Sequence, residues 1–338
     1  MRIVATAEVP PVAREAFASL GEIEVSGDGD LDDAEVLIVR ATPVGAVSIQ
    51  SAARLRVIAR TGAGFDNVDV DAATRAGIPI VYAPEVGSRP IAEGTVALIL
   101  AAAKRLRELG DIVHSTAWES RYEVIGLDLE GACVGIVGLG AIGRRVASLC
   151  RALGMVVIAH DPAPTSPAGD PVELVSLAEL VARADVITLH CALTEHTRGL
   201  VDRTLLSQTK PGAVLVNAAR GAMVESEDVL AEALASGRLS AVALDVHPSE
   251  PPRVAHRLYR DPRVISTPHA VGLTQRWNEE VFNCLADGVI RVLAGDHPPN
   301  LLNPEALAHR RRRRQKPSQR ARQLPPEKKT RPTKGPGE

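Results

Sequence analysis

The stretch that decides the fold of this chain is Cys133-Val-Gly-Ile-Val-Gly-Leu-Gly-Ala-Ile-Gly143. Its apolar first half predicts a buried strand, which leads through the glycines into a helix predicted from Arg144 to Leu153. Gly138 permits a tight turn, Gly140 lets the backbone approach a pyrophosphate, and Gly143 allows the helix to pack closely on the strand. The free N–H groups at the helix start attract an anion. The candidate cofactor contacts in this loop are Gly138, Gly140, Ala141, Ile142 and Gly143.

The next predicted strand, VVIAHD, ends in Asp161, 18 residues after Gly143. A carboxylate at this position can accept hydrogen bonds from a ribose 2′-hydroxyl and repels a 2′-phosphate, which selects NAD over NADP. The alternative is that the glycines only form a tight loop and that Asp161 caps the following segment. Strand, helix and acid occur together, and this combination favours a dinucleotide site.

Short runs rich in Val and Ile alternate with helix-patterned segments from Met1 to about Ala270. Such alternation predicts an α/β protein with parallel sheets covered by helices. The predicted strands are Ile3 to Ala5, Val36 to Arg40, Val57 to Arg60, Val134 to Val137, Val156 to His160, Val186 to His190, Val214 to Asn217, Val242 to Asp245 and Val264 to Ser266.

The length of 338 residues suits two compact cores of ordinary size. Between Arg60 and Val134 the pattern predicts one long helix, Ile91 to Leu109, and then a polar loop. We therefore expect a domain boundary near residues 98 to 100.

Charge is distributed unevenly along the chain, although the formal net charge is only −2. Residues 309–338 contain twelve Lys or Arg and two Glu, whereas residues 1–308 contain 27 basic and 39 acidic groups. This tail has five prolines and almost no apolar side chains, so it cannot bury enough surface to offset the entropy of ordering. We expect a disordered basic tail that binds polyanions weakly.

The four cysteines, Cys133, Cys150, Cys191 and Cys284, lie far apart without a C-x-x-C pair or metal-ligand spacing. We interpret them as buried thiols and expect no metal site. The start MRIVATAEVPP meets Glu8 and two prolines too early for a signal peptide, and no apolar run reaches the roughly 18 residues that span a membrane. The expected setting is the reducing cytoplasm, with no membrane partner.

Three later segments each end an apolar strand with a polar group: Arg220 in LVNAARG, Glu250 in LDVHPSEPP and His269 in VISTPHAVG. In an open parallel sheet the carboxyl ends of the strands face the ligand. Reduction of a keto acid needs a cation for the carboxylate, a proton donor for the developing alkoxide, and a partner that keeps the donor protonated. An arginine fork, a histidine that titrates near neutrality and an ionised glutamate are these three types.

Each of the three residues also has a plainer interpretation. A strand-end arginine is more often a solvated charge or part of a salt bridge. A single histidine after proline is usually structural. These alternatives stay open for each residue taken alone.

The motifs GLGAIG, HD, VNAARG, DVHPSEPP and TPHAVG occur in an order that resembles the D-isomer-specific 2-hydroxyacid dehydrogenase family, and within it the 3-phosphoglycerate dehydrogenases. The resemblance covers residues 1 to about 305. It implies a Rossmann NAD-binding domain, residues 99–283, inserted into a flavodoxin-like substrate-binding domain, residues 1–98 and 284–308. It also implies a small 2-hydroxy or 2-keto acid as the substrate and a homodimer.

The resemblance also implies roles for individual residues. By matching position, Arg220 binds the substrate carboxylate and keto oxygen, His269 is the acid–base residue, and Glu250 is its partner. Asp245 contacts the nicotinamide end of the cofactor.

Two further arginines suggest which acid is bound. Arg40 and Arg60 both end predicted strands, above the Gly62-Ala63-Gly64 loop, where the N–H groups of Ala63 and Gly64 can cradle a carboxylate. Two extra cations suggest a dianion, and the matching positions in 3-phosphoglycerate dehydrogenases contact the substrate phosphate. The alternative is that the two arginines pair with acids such as Asp66 or Asp69.

The loop from Tyr82 to Pro90 departs from the family pattern at its usual amide and hydroxyl positions. The substrate expected first is therefore 3-phosphoglycerate or 3-phosphohydroxypyruvate, with hydroxypyruvate or glyoxylate as the alternative. A third hypothesis, of a different class, is an NAD(H)-sensing protein similar to the family's transcriptional corepressors. The tail carries no aromatic side chains for stacking on bases, which argues against a nucleic-acid role.

Overall fold

The computed structural model describes residues 1–26, 31, 33–62, 64–84, 86–163 and 172–309. The chain divides into two compact units. The first unit comprises Met1–Thr61, Asn67–Tyr82 and the residues from Leu285 onward; the second comprises Gly62–Asp66 and Ala83–Cys284. Each unit contains one wholly parallel sheet with helices, which confirms the predicted α/β fold.

The first unit has a five-stranded sheet in the order β2-β1-β3-β4-β5. Its strands are rich in branched apolar residues, and β1, β3 and the first three residues of β4 are fully buried. The C-terminal segment joins this unit, because the Asn303 side chain accepts a hydrogen bond from the Ile80 N–H at 2.7 Å. The elements are β1 (Ile3–Ala5), α1 (Pro11–Phe17), β2 (Ile23–Val25), β3 (Val36–Val39), α2 (Ala46–Ser51), β4 (Val57–Arg60), α3 (Val70–Ala76) and β5 (Ile80–Tyr82).

The second unit has a seven-stranded sheet in the order β12-β11-β10-β9-β6-β7-β8. Two apolar clusters pack on this sheet, one around Ile187 and Leu230 and one around Ile136 and Val146. Its elements are α4 (Ser88–Ala103), α5 (Leu106–Val113), β6 (Cys133–Val137), α6 (Ala141–Ala152), β7 (Val156–His160), β8 (Glu173–Leu174), α7 (Leu177–Arg183), β9 (Val186–Leu189), α8 (Arg203–Ser207), β10 (Ala213–Asn217), α9 (Glu227–Ala235), β11 (Leu239–Leu244), α10 (Arg257–Arg260) and β12 (Val264–Ser266). Helix α11 (Gln275–Ala294) begins in the second unit and ends in the first.

All nine predicted strands are present, with ends that differ by at most three residues. Three strands were not predicted. β2, β5 and β8 all lie at sheet edges, and β2 and β8 are largely exposed, so these two lack a continuous apolar run.

The single long helix predicted from Ile91 to Leu109 is wrong. The chain forms α4 and α5 instead, separated at Lys104 and Arg105. Arg105 has a φ of 54° in the left-handed region, which a continuous helix cannot contain, and its guanidinium binds Glu108 at 2.6 Å. All of α4 lies in the second unit, so this division between the units falls after Tyr82 and not near residue 98.

The cysteine prediction also needs correction. All four side chains are thiols outside any disulfide, but only Cys150 is fully buried, and burial raises its pKa to about 11. The other three are half-buried; Cys133 and Cys191 lie at or just beyond strand ends, and Cys284 lies in α11.

In each sheet the carboxyl ends of the parallel strands lie at one edge, and the predicted site residues follow those ends. No helix in the described ranges is both long enough and apolar enough to cross a membrane. The predicted disordered tail, apart from His309, falls outside the described residues. The residues at the two edges are Arg40 and Arg60 in the first sheet, and Gly138, Asp161, Arg220, Asp245 and His269 in the second.

Candidate active site

The glycine loop between β6 and α6 has the close contacts that its spacing predicts. A Cβ on Gly143 would lie 2.1 Å from the Gly138 carbonyl oxygen, so helix and loop approach at the distance only glycine allows. Gly138 has a φ of 98°, and a Cβ there would lie 2.5 Å from the Cys191 N–H nitrogen. A Cβ on Gly140, by contrast, would meet nothing within 4 Å. The space beside Gly140 is open, as the approach of a ligand to the backbone requires.

The N-terminus of α6 faces this open space without a side-chain cap. Gly140 is the N-cap residue and has no side chain to accept the first N–H groups of the helix. Donors of this kind, together with the helix dipole, bind phosphate groups. Ala141 and Ile142 form the first turn of α6. These features fit the pyrophosphate of a dinucleotide.

Asp161 follows β7 and lies beside the same loop. Its carboxylate accepts a hydrogen bond from the Leu139 N–H at 2.7 Å and one from the Ala163 N–H at 2.9 Å. Two backbone donors hold the carboxylate at the edge of the glycine loop. The side chain thus lies at the position from which the acid of a dinucleotide-binding fold hydrogen-bonds to a ribose.

Glu250 and His269 are in contact. The Glu250 Oε2 atom lies 2.9 Å from His269 Nδ1, and the second carboxylate oxygen accepts a hydrogen bond from the His247 N–H at 3.2 Å. Partial burial alone would raise the pKa of Glu250, but the His269 hydrogen bond and charge and the His247 N–H together hold that pKa below its ordinary value. The carboxylate is therefore ionised at neutral pH beside the imidazole.

Asp245 holds the segment that carries His269. It is only 3% exposed, and its Oδ1 atom accepts hydrogen bonds from the Thr267 hydroxyl at 2.7 Å and from the N–H groups of Ala270 and Val271 at 2.9 and 3.1 Å. The Asp245 carbonyl accepts a further bond from the His269 N–H at 2.8 Å. His269 has a φ of 54°, a region that costs a non-glycine residue on the order of 1–3 kcal/mol. The Asp245 bonds offset that strain.

Arg220 follows β10 and is held from several sides. Its Nε atom donates to Asp66 Oδ1 at 2.8 Å, its Nη2 atom lies 2.8 Å from the same oxygen, and its Nη1 atom donates to the Ala219 carbonyl at 2.7 Å. The Asn217 side chain donates to the Arg220 carbonyl at 2.9 Å and fixes the turn. The following Gly221 packs so closely that a Cβ would lie 1.8 Å from the His247 carbonyl oxygen. The Arg220 turn thus packs on the segment that holds Glu250.

In the first unit, Arg40 and Arg60 lie at the ends of neighbouring strands. Arg60 is in register with Val39, the last residue of β3. Asn67 connects the two, because its Oδ1 accepts from Arg60 Nε at 2.8 Å and its Nδ2 donates to the Arg40 carbonyl at 2.7 Å. The Arg40 guanidinium donates to the Glu8 carbonyl, and burial lowers its pKa.

The acids named as alternative partners of Arg40 and Arg60 have other contacts. Asp66 pairs with Arg220, and Asp69 caps α3 by accepting from the Ala72 N–H at 2.8 Å. The sequence interpretation missed Asn67, Thr267 and His247, although Thr267 and His247 belong to the motifs TPHAVG and DVHPSEPP and Asn67 follows Asp66. Ala63, predicted to contact the substrate, falls outside the described residues. No cluster of three His, Cys, Asp or Glu side chains within the described ranges could hold a metal ion.

The parallel seven-stranded sheet, the glycine loop, the uncapped α6 and the acid after β7 define a dinucleotide-binding protein of the Rossmann class. Residues 96–271 match the model of the NAD binding domain of the D-isomer specific 2-hydroxyacid dehydrogenases. The chain belongs to this family, and these residues form its NAD-binding domain.

Known proteins similar to this chain include two different kinds of enzyme. It is 40% identical over 274 residues to the D-3-phosphoglycerate dehydrogenase of Mycobacterium leprae, a match that covers 80% of this chain and 51% of that protein. It is 34% identical over 326 residues to the glyoxylate reductase of Aeropyrum pernix, covering 90% of this chain and 97% of that enzyme. A crystal structure of a protein from Thermus thermophilus has a TM-score of 0.82 and 34% identity, over 89% of this chain and 100% of that chain. The chain thus spans about half the length of the phosphoglycerate dehydrogenase relatives it matches.

Proposed function

We propose that this protein is an NAD-dependent dehydrogenase that interconverts a D-2-hydroxy acid and its 2-keto acid. The observation that carries the proposal is the 2.9 Å contact between Glu250 and His269 in the same unit as the glycine loop. NAD(H), when bound, accepts or supplies the hydride. The proposal also assigns the binding of a substrate phosphate to Arg40 and Arg60, which belong to the first unit.

The chain's own residues supply the proton and the binding charge. His269 donates its proton to the keto oxygen during reduction and takes it back during oxidation. Glu250, ionised beside it, lies 2.9 Å from Nδ1 and holds the imidazole in place. Arg220 binds the carboxylate of the acid, and its turn is held on the Asp245–His247 segment. Asp245, beyond its expected contact with the nicotinamide end, orients the His269 loop.

The same pair argues against the alternative of an NAD(H)-sensing binding protein. A sensor needs the dinucleotide site but has no use for a proton donor beside an ionised carboxylate. The Asp245 carboxylate accepts three hydrogen bonds from the segment that carries the left-handed His269, and such precise placement supports catalysis.

For the substrate, we propose 3-phosphoglycerate and 3-phosphohydroxypyruvate. The support is the pair of cations at neighbouring strand ends in the first unit, joined through Asn67. The D-3-phosphoglycerate dehydrogenase relatives at 37–40% identity support the same substrate. Hydroxypyruvate or glyoxylate is the alternative, supported by the glyoxylate reductase relative and by the altered loop after Tyr82.

Substrate preference tests this assignment. The wild type is expected to prefer phosphohydroxypyruvate over hydroxypyruvate, since the two acids differ only in the phosphate. Arg40→Ala or Arg60→Ala should raise KM for the phosphorylated acid roughly tenfold or more, because a charge-assisted contact to phosphate is lost. Hydroxypyruvate should be nearly unaffected. The measurement is kcat/KM for both acids with each variant.

The matched control is Arg54→Ala, which removes an exposed cation near the opposite end of β4 and should leave kcat/KM unchanged for both acids. Equal losses of kcat/KM for the two acids in Arg40→Ala and Arg60→Ala would remove the support for a phosphate site. A wild type that prefers hydroxypyruvate would favour the alternative substrate.

Cofactor preference is expected to depend on Asp161. The wild type should turn over with NADH much faster than with NADPH, because a carboxylate repels the 2′-phosphate. Asp161→Asn keeps an oxygen for the Leu139 N–H but removes the charge, so the ratio of kcat/KM for the two cofactors should fall. Asp185→Asn is the control, since that carboxylate also accepts a backbone N–H, from Cys133 at 2.8 Å, but precedes β9. A wild type that uses both cofactors equally would contradict the role of Asp161.

The homodimer, the cytoplasmic location and the weak binding of polyanions by the tail stay predictions. They follow from the family resemblance, the composition and the charge of residues 309–338.

A further inference from the structure

The contact between Asp66 and Arg220 joins residues 154 positions apart in the sequence. Asp66 belongs to the short segment Gly62–Asp66, which is part of the second unit although the residues on both sides of it belong to the first. One Asp66 oxygen lies 2.8 Å from both Nε and Nη2 of Arg220. The pair is half-buried, with 26% of the arginine side chain and 38% of the aspartate side chain exposed.

Gly64 provides the room for this arrangement. A Cβ at residue 64 would lie 1.5 Å from Arg220 Nη2 and 2.7 Å from its Cζ. The backbone of Gly64 does not require glycine by a positive φ. The lack of a side chain at this position is therefore explained by the guanidinium that lies against it.

The contacts leave the guanidinium able to bind a second anion. An arginine carries five N–H donors. Asp66 occupies the side formed by Nε and Nη2, and the Ala219 carbonyl accepts a hydrogen bond from one N–H of Nη1. In the described part of the chain, one N–H group on each terminal nitrogen therefore stays available. A free arginine side chain loses considerable rotamer entropy when it is fixed. A side chain already fixed by Asp66 has lost that entropy before the ligand arrives.

We propose that Asp66 is a positioning residue for Arg220: it fixes the guanidinium against Gly64, with its terminal nitrogens directed to the carboxylate of the acid. The inference rests on the proposed function, because it takes Arg220 as the group that binds the substrate carboxylate. Asp66 acts through Arg220 and does not contact the reacting atoms.

The first test compares Asp66→Ala with Asp66→Asn in the full chain. Asp66→Ala frees the guanidinium, so KM for the keto acid should rise about tenfold while KM for NADH stays unchanged. Asp66→Asn keeps an oxygen that accepts the Nε–H and should stay within about threefold of the wild type. Gly64→Ala should raise KM for the keto acid as Asp66→Ala does, with an unchanged Tm, because the atoms it displaces are the end of a flexible side chain.

Two controls separate positioning from a general disturbance. Asp71→Asn removes an exposed carboxylate, and Gly45→Ala adds a Cβ into open space; neither should change KM. An unchanged KM for the keto acid in Asp66→Ala would overturn the inference. Equal increases in KM for Asp66→Ala and Asp66→Asn, accompanied by equal losses of Tm, would also overturn the inference, because that pattern indicates a structural role alone.

A second test uses the guanidinium ion as the probe. In Arg220→Ala, added guanidinium chloride at millimolar concentration should restore part of the activity, because the space left by the side chain is lined by Asp66 and Gly64. The restored fraction should fall severalfold in Arg220→Ala/Asp66→Ala. Equal restoration in the two variants would overturn the inference. If Arg220→Ala alone keeps full activity, the proposed function of Arg220 fails, a result distinct from any failure of Asp66.

Discussion

Replacement of His269 with alanine is expected to lower kcat for keto-acid reduction by about 10² or more, with little change in KM for NADH. The alanine cannot give a proton to the developing alkoxide, whereas the glycine loop that binds the cofactor is untouched. Steady-state kinetics with NADH oxidation as the signal measures the effect. His196→Ala, which removes an exposed histidine of the same unit, is the control and should keep the wild-type kcat. A kcat for His269→Ala within threefold of the wild type would remove this residue from the chemistry.

Glu250→Gln tests the other half of the pair through the pH profile. The pKa of Glu250 is lowered, so its carboxylate is charged throughout the working range and stabilises the protonated imidazole. Glutamine has no charge, so this stabilisation is lost. Reduction, which needs a proton on His269, should therefore decline from a lower pH than in the wild type, and the shift should be modest because both side chains are partly exposed. Oxidation should become active from a correspondingly lower pH, and an unmoved profile would assign Glu250 to structure.

The second large effect is expected from Gly143→Ala. The added Cβ would lie 2.1 Å from the Gly138 carbonyl oxygen, which is backbone and cannot turn away, so α6 and the loop must separate. Overpacking of this kind costs about 1–3 kcal/mol and displaces the N–H groups that would bind the pyrophosphate. We expect a lower Tm together with at least tenfold weaker binding of NADH, measured by thermal unfolding and by cofactor fluorescence.

Gly140→Ala separates binding from stability in the same loop. Its Cβ would meet no atom within 4 Å, so the Tm should change little, but the methyl group would occupy the space through which a pyrophosphate approaches. NADH binding should weaken without a loss of folding. Gly110→Ala, also in open space but on α5, is the control. Normal NADH binding by Gly140→Ala would show that the nucleotide lies elsewhere.

Much of the architecture could be predicted from local sequence patterns. Buried parallel strands are continuous apolar runs, so β3, β4 and β6 were recognisable from their Val and Ile content. The break between α4 and α5 was not, because the pattern on both sides is helical and only the left-handed Arg105 interrupts it. The exposed edge strands β2 and β8 carry no apolar signal.

The residue types of the candidate catalytic side chains were also predictable, since each follows a strand whose carboxyl end lies at the ligand edge of a parallel sheet. Residue type and strand position thus made Arg220, Glu250 and His269 candidates without knowledge of any distance, and the family resemblance gave them roles. The partners of these side chains were not predictable, because hydrogen bonds between segments far apart in the chain leave no periodic trace. Asp66 is an example: no pattern in the sequence indicates its contact with Arg220, 154 residues away. Such pairings arise only from the packing of the loops that carry them.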